Sequence, residues 1–220
     1  MSIMAQSKFS RGNSMLICRD NPWDFKSLGI HVNEITYIKG DSKDVSELLS
    51  LYLNFCIENN KELSIVRVPF SEKETRKQLL KNGFYCNDYS YTVECRASNL
   101  KNLTIKKNLL VTNKWKQIEL YHLVQGMFSH GRFLEDLRLD YTKSSNRNQN
   151  WAIDLLNSGI CQKFLYKKDK LVGFMFFEED KENVTLKLGG VKRQYSHLVL
   201  PFWSQVLSNI EDKRVIKTTI

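Results

Sequence analysis

The chain has 220 residues, 42% hydrophobic and 26% charged, which excludes an extended disordered protein and leaves enough apolar material for one large domain or two small ones. No apolar run approaches the roughly 18 to 20 residues that span a bilayer, and Met1 to Arg11 lacks the continuous apolar stretch of a secretion signal, so a soluble cytoplasmic protein without membrane contact is expected. The net charge of +9 is uneven: up to Ala97 there are 13 Lys and Arg against 12 Asp and Glu, and from Ser98 onward 20 against 12.

In chain order, Asp44 to Asn59 repeats apolar residues at helical spacing (Val45, Leu48, Leu49, Tyr52, Leu53, Cys56) behind an acidic start, and reads as a helix. Leu63 to Pro69 is a β-branched strand closed by proline. A helix is expected from Ser71, with Glu74 completing a capping box and Gly83 ending it. Tyr89 to Cys95 alternates as a strand, so the first half reads strand, helix, strand, helix, strand. The polar segment Arg96 to Lys107 is expected to join two domains, 1–97 and 98–220.

The second half opens with a short strand at Leu109 and Val111 and a helix, Trp115 to Met127, whose Trp115, Ile118, Leu120, Leu123 and Val124 can form a buried face. An irregular stretch from Gly131 to Asn150 follows, then a helix from Trp151 to Ser158 ended by Gly159. Three antiparallel strands come next: Cys161 to Tyr166, Leu171 to Glu178 and Val184 to Val191. A helix from Leu198 to Ile210 and a strand from Arg214 to Ile220 complete the reading.

Several chemistries are excluded by their missing motifs. There is no GxSxG, HExxH or GxxxxGK[ST], and Cys18, Cys56, Cys86, Cys95 and Cys161 have neither disulfide-framework nor zinc spacing, so no metal is expected. The lysines of the second half are dispersed and no nucleic-acid-reading motif occurs, which disfavours a nucleic-acid partner over a solvated surface or a phosphorylated small molecule.

The order strand, glycine-containing bend, strand, polar bend, helix in the second half resembles the acyl-CoA-binding fold of the GCN5-related N-acetyltransferases, most closely their sugar-nucleotide amine branch. The resemblance is carried by Trp23-Asp24 with Leu28-Gly29-Ile30 and Val32, by Leu80-Lys81-Asn82-Gly83-Phe84, by His130-Gly131-Arg132-Phe133, by Trp151, and by Lys170-Leu171-Val172-Gly173-Phe174. It implies an α+β mixed-sheet protein with a partial lobe of the same kind at 1–97 and an N-acetyltransferase domain at 98–220. That domain is expected to lack the family's last helix and hairpin, and with them its general-acid tyrosine, which leaves an edge strand open to a second copy of the chain.

The resemblance further implies acetyl-CoA as co-substrate and a small-molecule primary amine, such as an amino-sugar nucleotide, as acceptor. The pantetheine arm would pair with the main chain of Leu188, Gly189, Gly190 and Val191, where the two glycines would allow a bulge. Its pyrophosphate would meet Gln194, Tyr195, Ser196, His197, Leu198 and Val199 at a helix N-terminus, with Lys192 and Arg193 alongside. The family loop of Arg or Gln, two variable residues, Gly, a variable residue and Gly or Ala is not matched, since Ser196 to Pro201 supplies neither glycine. Arg132 and Phe133 would hold the acceptor, and Glu178, Glu179, His130 and His197 are the candidates to take the amine's proton. A non-catalytic module keeping the fold is the competing expectation.

Overall fold

A computed structural model describes residues 6–101, 109–208, 210–211 and 214–219. It divides the chain into two compact units, Met1–Asn87 with Arg138–Lys143, and Asp88–Leu137 with Ser144–Ile220. The strand expected at 89–95 forms at Thr92–Arg96 and belongs to the second unit, as does the described part of the expected joint at 96–107; residues 102–108 lie outside the described chain.

In the first unit a hairpin, β1 (Gln6–Arg11) and β2 (Ser14–Asp20), leads through a short helix α1 (Pro22–Leu28) to β3 (Val32–Lys39), helix α2 (Ser42–Glu58), β4 (Leu63–Val66) and helix α3 (Lys73–Lys81). The sheet order is β1-β2-β3-β4, antiparallel except for the parallel pair β3 and β4. Helix α2 forms where its spacing predicts, and its buried stripe of Val45, Leu48, Leu49, Tyr52 and Cys56 covers Leu16, Cys18 and Ile35 of the sheet. The capping box expected on α3 does not form. Ser71 instead lies in a turn in which Lys73 N–H reaches the Ser71 carbonyl, and the cap position falls to Glu72 without a side-chain hydrogen bond. Gly83 does end α3, at φ +83°, with Phe84 N–H returning 3.0 Å to the Leu79 carbonyl.

The second unit holds β5 (Thr92–Arg96), α4 (Ala97–Lys101), β6 (Leu110–Thr112), α5 (Gln117–Val124), most of α6 (Tyr141–Asn157), β7 (Cys161–Lys167), β8 (Lys170–Glu179) and β9 (Asn183–Val191). A 3₁₀ turn, Arg193–Leu198, then enters α7 (Val199–Leu207), and β10 (Val215–Thr219) follows. Its six-stranded sheet runs β5-β10-β9-β8-β7-β6, and only β9 and β10 are parallel.

Alternation along β8 sends Met175 and Phe177 to the face covered by α7 and Phe174 and Phe176 to the face covered by α5 and α6. On α5, Leu120, Leu123 and Val124 are buried as expected, whereas Ile118 and Trp115 are exposed: the helix spans only Gln117–Val124, too short to turn all five inward. Helix α6 begins ten residues before the predicted start, because its early turns bury the polar Ser144 and Gln149 rather than an apolar stripe. Among the described residues no helix is long and apolar enough to cross a membrane.

Candidate active site

Strands β9 and β10 pair in parallel from Asn183↔Val215 to Leu186↔Thr218, one residue short of the end of β10 at Thr219. Thr219, the last described residue of β10, still pairs with Thr92 of β5, while beyond Leu186 β9 is held in the sheet by β8 alone, to Val191↔Gly173. The end of this pairing coincides with a β-bulge in β9. Phe176 faces Leu188 and Phe177 faces Leu186, which leaves Lys187 as the additional residue. The bulge expected at Gly189 and Gly190 is therefore at Lys187, and both glycines stay in regular register with Met175 and Phe174. Their lack of a side chain serves close approach. A Cβ on Gly189 would stand 3.2 Å from the Phe174 carbonyl oxygen, and one on Gly190 only 2.6 Å from Met127 Sδ. Beyond the bulge, the β10-facing side of Lys187–Val191 has no strand partner among the described residues.

At the end of this open main chain sits the 3₁₀ turn and the start of α7. Lys192 N–H donates to the Val172 carbonyl at 2.8 Å, and Tyr195 N–H to the Lys192 carbonyl at 2.7 Å. Lys192, Arg193, Gln194, Ser196 and His197 are exposed, while Leu198 is buried in the core beneath α7. The N-cap of α7 is Leu198, with no side-chain hydrogen bond and no acidic residue in the first turn. A cleft of about 270 Å³ opens beside Lys192, walled by Glu119, His122 and Leu123 of α5 and by Asp169, Lys170 and Leu171 of the β7–β8 hairpin. Of these, Glu119 accepts the Tyr166 hydroxyl on its Oε2 at 2.8 Å; burial, and then that carboxylate, push the phenol up to about 12.

The four proton acceptors named from sequence separate clearly. Glu178 lies two residues beyond Phe176 and opposite Thr185, hence on the α5–α6 face, and its Oε2 is 2.7 Å from Nζ of the bulge residue Lys187. Gln162, opposite Phe176, shares that face and has a buried Oε1 without a hydrogen-bond partner. Glu179 points to the other face and is bound by Arg214 at 2.5 Å. His130 is exposed and held by Glu135 at 2.9 Å, and His197 belongs to the basic turn. Phe133 is buried, and the guanidiniums of Arg132 and Arg147 lie over its ring at 4.7 and 4.5 Å, so the ring is already in use as a cation platform.

Lys187, Gln162, Met127 and Arg147 were not singled out by sequence. Strand alternation could have placed Gln162 on the face of Glu178, but Lys187 requires knowledge of the bulge. Among the described residues no cluster of His, Cys, Asp and Glu could hold a metal ion.

No protein-family model matches this chain, and no curated protein sequence matches it. Solved structures do. A functionally unknown conserved protein from Staphylococcus epidermidis ATCC 12228 superimposes with a TM-score of 0.62 at 11% identity, over 100% of this chain and 85% of that one. A GCN5-related N-acetyltransferase from Kribbella flavida does so with a TM-score of 0.58 at 7% identity, over 98% and 80%. A tandem GNAT protein from the clavulanic acid biosynthesis pathway reaches 0.53 at 8% identity, over 99% and 74%. The chain thus has the mixed α+β fold of the GCN5-related N-acetyltransferases, and the activity must be argued from the site.

Proposed function

We propose that this protein is an acetyl-CoA-dependent N-acetyltransferase acting on a primary amine of a small molecule. The observation that carries the reading is the end of β9–β10 pairing at Leu186, with the bulge at Lys187 beside it: among the described residues the β10-facing main chain of Lys187–Val191 has no strand partner, and it ends at a helix start with no side-chain cap and no acidic residue in its first turn. Such an edge suits the amides of a pantetheine arm, and the Lys192–Arg193 turn with the α7 N-terminus suits a pyrophosphate. An amino-sugar nucleotide, the acceptor implied by the sequence resemblance, would have to be held without stacking on Phe133.

Glu178 is the proton acceptor in this reading. The acceptor ammonium gives one proton to the Glu178 carboxylate, the freed nitrogen pair forms the bond to the acetyl carbonyl carbon, and the C–S bond breaks with its electron pair on sulfur, which takes the nitrogen's second proton and leaves as the CoA thiol. Main-chain N–H groups of the Leu188–Val191 segment are the donors available to the tetrahedral oxyanion.

Titration calorimetry with acetyl-CoA tests the site: a micromolar dissociation constant is expected, and no heat from folded protein at millimolar ligand would leave a non-catalytic module. Glu178→Gln should lower kcat by roughly 10²- to 10⁴-fold while leaving acetyl-CoA affinity unchanged. An unaltered kcat would remove Glu178 from the role.

A further inference from the structure

Resting on the reading above, we infer that the acceptor is a zwitterion, an amino acid whose free carboxylate is one carbon from the amine to be acetylated. The proton acceptor Glu178 and the bulge residue Lys187 form a side-by-side pair of opposite charges, 2.7 Å apart, at the place where β9–β10 pairing ends. Both side chains keep solvent access, at 52% and 31% exposure, so an incoming molecule can replace either partner. An amine that takes Glu178 from Lys187 leaves the lysine ammonium without its counter-ion. A polyamine adds like charge to that ammonium, and a lone neutral amine leaves it unsatisfied. An α-amino acid exchanges both ends at once, its ammonium meeting Glu178 and its carboxylate meeting Lys187, in two charge-assisted contacts.

Gln162 adds an independent observation. Its buried Oε1 has no hydrogen-bond partner, and Gln162 stands opposite Phe176, one same-face position from Glu178 along β8. The face therefore supplies a carboxylate for a nitrogen and a cation for a carboxylate, with an unsatisfied amide oxygen nearby in register.

The test is CoA release from acetyl-CoA with the common amino acids, each compared with its own carboxamide and with spermidine, in the natural protein and in Lys187→Met. Acetyl-CoA affinity is measured on both proteins, and amino-acid binding is followed by NMR line broadening in the presence of CoA. The carboxamide's ammonium is the more acidic, so intrinsic reactivity favours the amide and a preference for the acid reports the site. The expected result is kcat/KM at least about tenfold higher for the acid than for its amide. In Lys187→Met that preference should vanish through a raised KM for the acid relative to the amide, with acetyl-CoA affinity unaffected. Equal or better use of amides or spermidine, or a preference that survives Lys187→Met, overturns the inference. So does acetyl-CoA binding with no amino acid bound or acetylated, and the acetyltransferase reading then still stands. Absence of acetyl-CoA binding overturns that reading itself and the inference with it.

Discussion

Each unit contains the same junction, a bulged strand whose parallel pairing ends before it enters a helix, yet the two helix starts carry opposite chemistry. In the first unit the bulge is at Thr36, immediately after the last parallel pair Ile35↔Val66, and in the second it is at Lys187, immediately after Leu186↔Thr218. At α2 the Asp41 carboxylate accepts the N–H groups of Lys43 and Asp44 at 3.0 and 2.9 Å. Asp44 stands beside it, bonded by the Ser14 hydroxyl at 2.9 Å and paired with Arg11. Gly40 is pressed onto Ser14, where a Cβ would lie 2.2 Å from Oγ. The positive end of that helix is already occupied by the protein's own anions. At α7 no side chain caps the start, and the neighbouring charges are Lys192 and Arg193. A repeated backbone therefore does not repeat a site: the helix start left without a side-chain cap at the second junction is filled with aspartate at the first.

The largest effects should come from removing the packing that forms each junction. Phe176→Ala takes a fully buried ring from the α5–α6 face and should cost about 3–5 kcal/mol, and Leu48→Ala under α2 about 2–5 kcal/mol. Urea denaturation gives both values. Only Phe176→Ala should also weaken acetyl-CoA binding at a temperature where both variants remain folded; equal loss from Leu48→Ala would place the nucleotide at the first junction.

The next effect exchanges the chemistry of the two helix starts. Ser196→Asp puts a carboxylate into the open turn and should weaken acetyl-CoA by roughly 10- to 100-fold, through lost charge-assisted contacts and an opposed helix dipole. Asp41→Ala should leave that affinity unchanged and lower stability by about 1 kcal/mol, the usual value of an N-cap. Calorimetry at two ionic strengths separates contact from field: the Ser196→Asp loss should shrink with salt if field dominates.

The same contrast shows what the sequence could and could not reveal. Helix α2 and the strands β7, β8 and β9 were legible because local pattern and tertiary use agree: apolar residues at helical spacing bury one stripe, and alternating residues serve two faces. The start of α6 was hidden because Ser144 and Gln149 are its buried residues there, and polar residues give no apolar period. The bulge was assigned to Gly189 and Gly190 on conformational freedom, but those glycines admit close neighbours, and the bulge falls on a lysine.

Glu178, Glu179 and Asp180 are consecutive acids in the sequence, and the structure gives each a different partner. Glu178 meets Lys187 and Glu179 meets Arg214. Asp180 alone forms the turn, where the N–H groups of Glu182 and Asn183, each at 2.7 Å, hold its carboxyl below the usual range. Such assignments depend on strand register and face, which composition does not encode.

The smallest expected effect tests a feature that the units share. In each, the last residue of the strand antiparallel to the bulged one is an acid, paired with a base just before the parallel strand: Asp20 with Lys61 at 2.8 Å, and Glu179 with Arg214. Asp20 also accepts Asn33 Nδ2–H at 3.0 Å, and Asn33 Oδ1 lies 3.1 Å from the Tyr52 hydroxyl, so the pair is tied to the buried side of α2. Burial works against the Asp20 charge, but the hydrogen bonds from Lys61 and Asn33 outweigh it and hold the carboxyl below its ordinary value. A carboxyl whose folded pKa is depressed contributes stability above its unfolded pKa of about 3.9 and loses it as pH falls through the folded value. Asp20 is 56% exposed, so solvent screening limits the contribution to about 1 kcal/mol or less. Asp20→Asn should therefore flatten part of the acid limb of a stability-against-pH curve below about pH 4 while changing neutral-pH acetyl-CoA affinity not at all. An acid limb identical to that of the natural protein would show that Asn33 and Tyr52 hold the strand end without the ion pair.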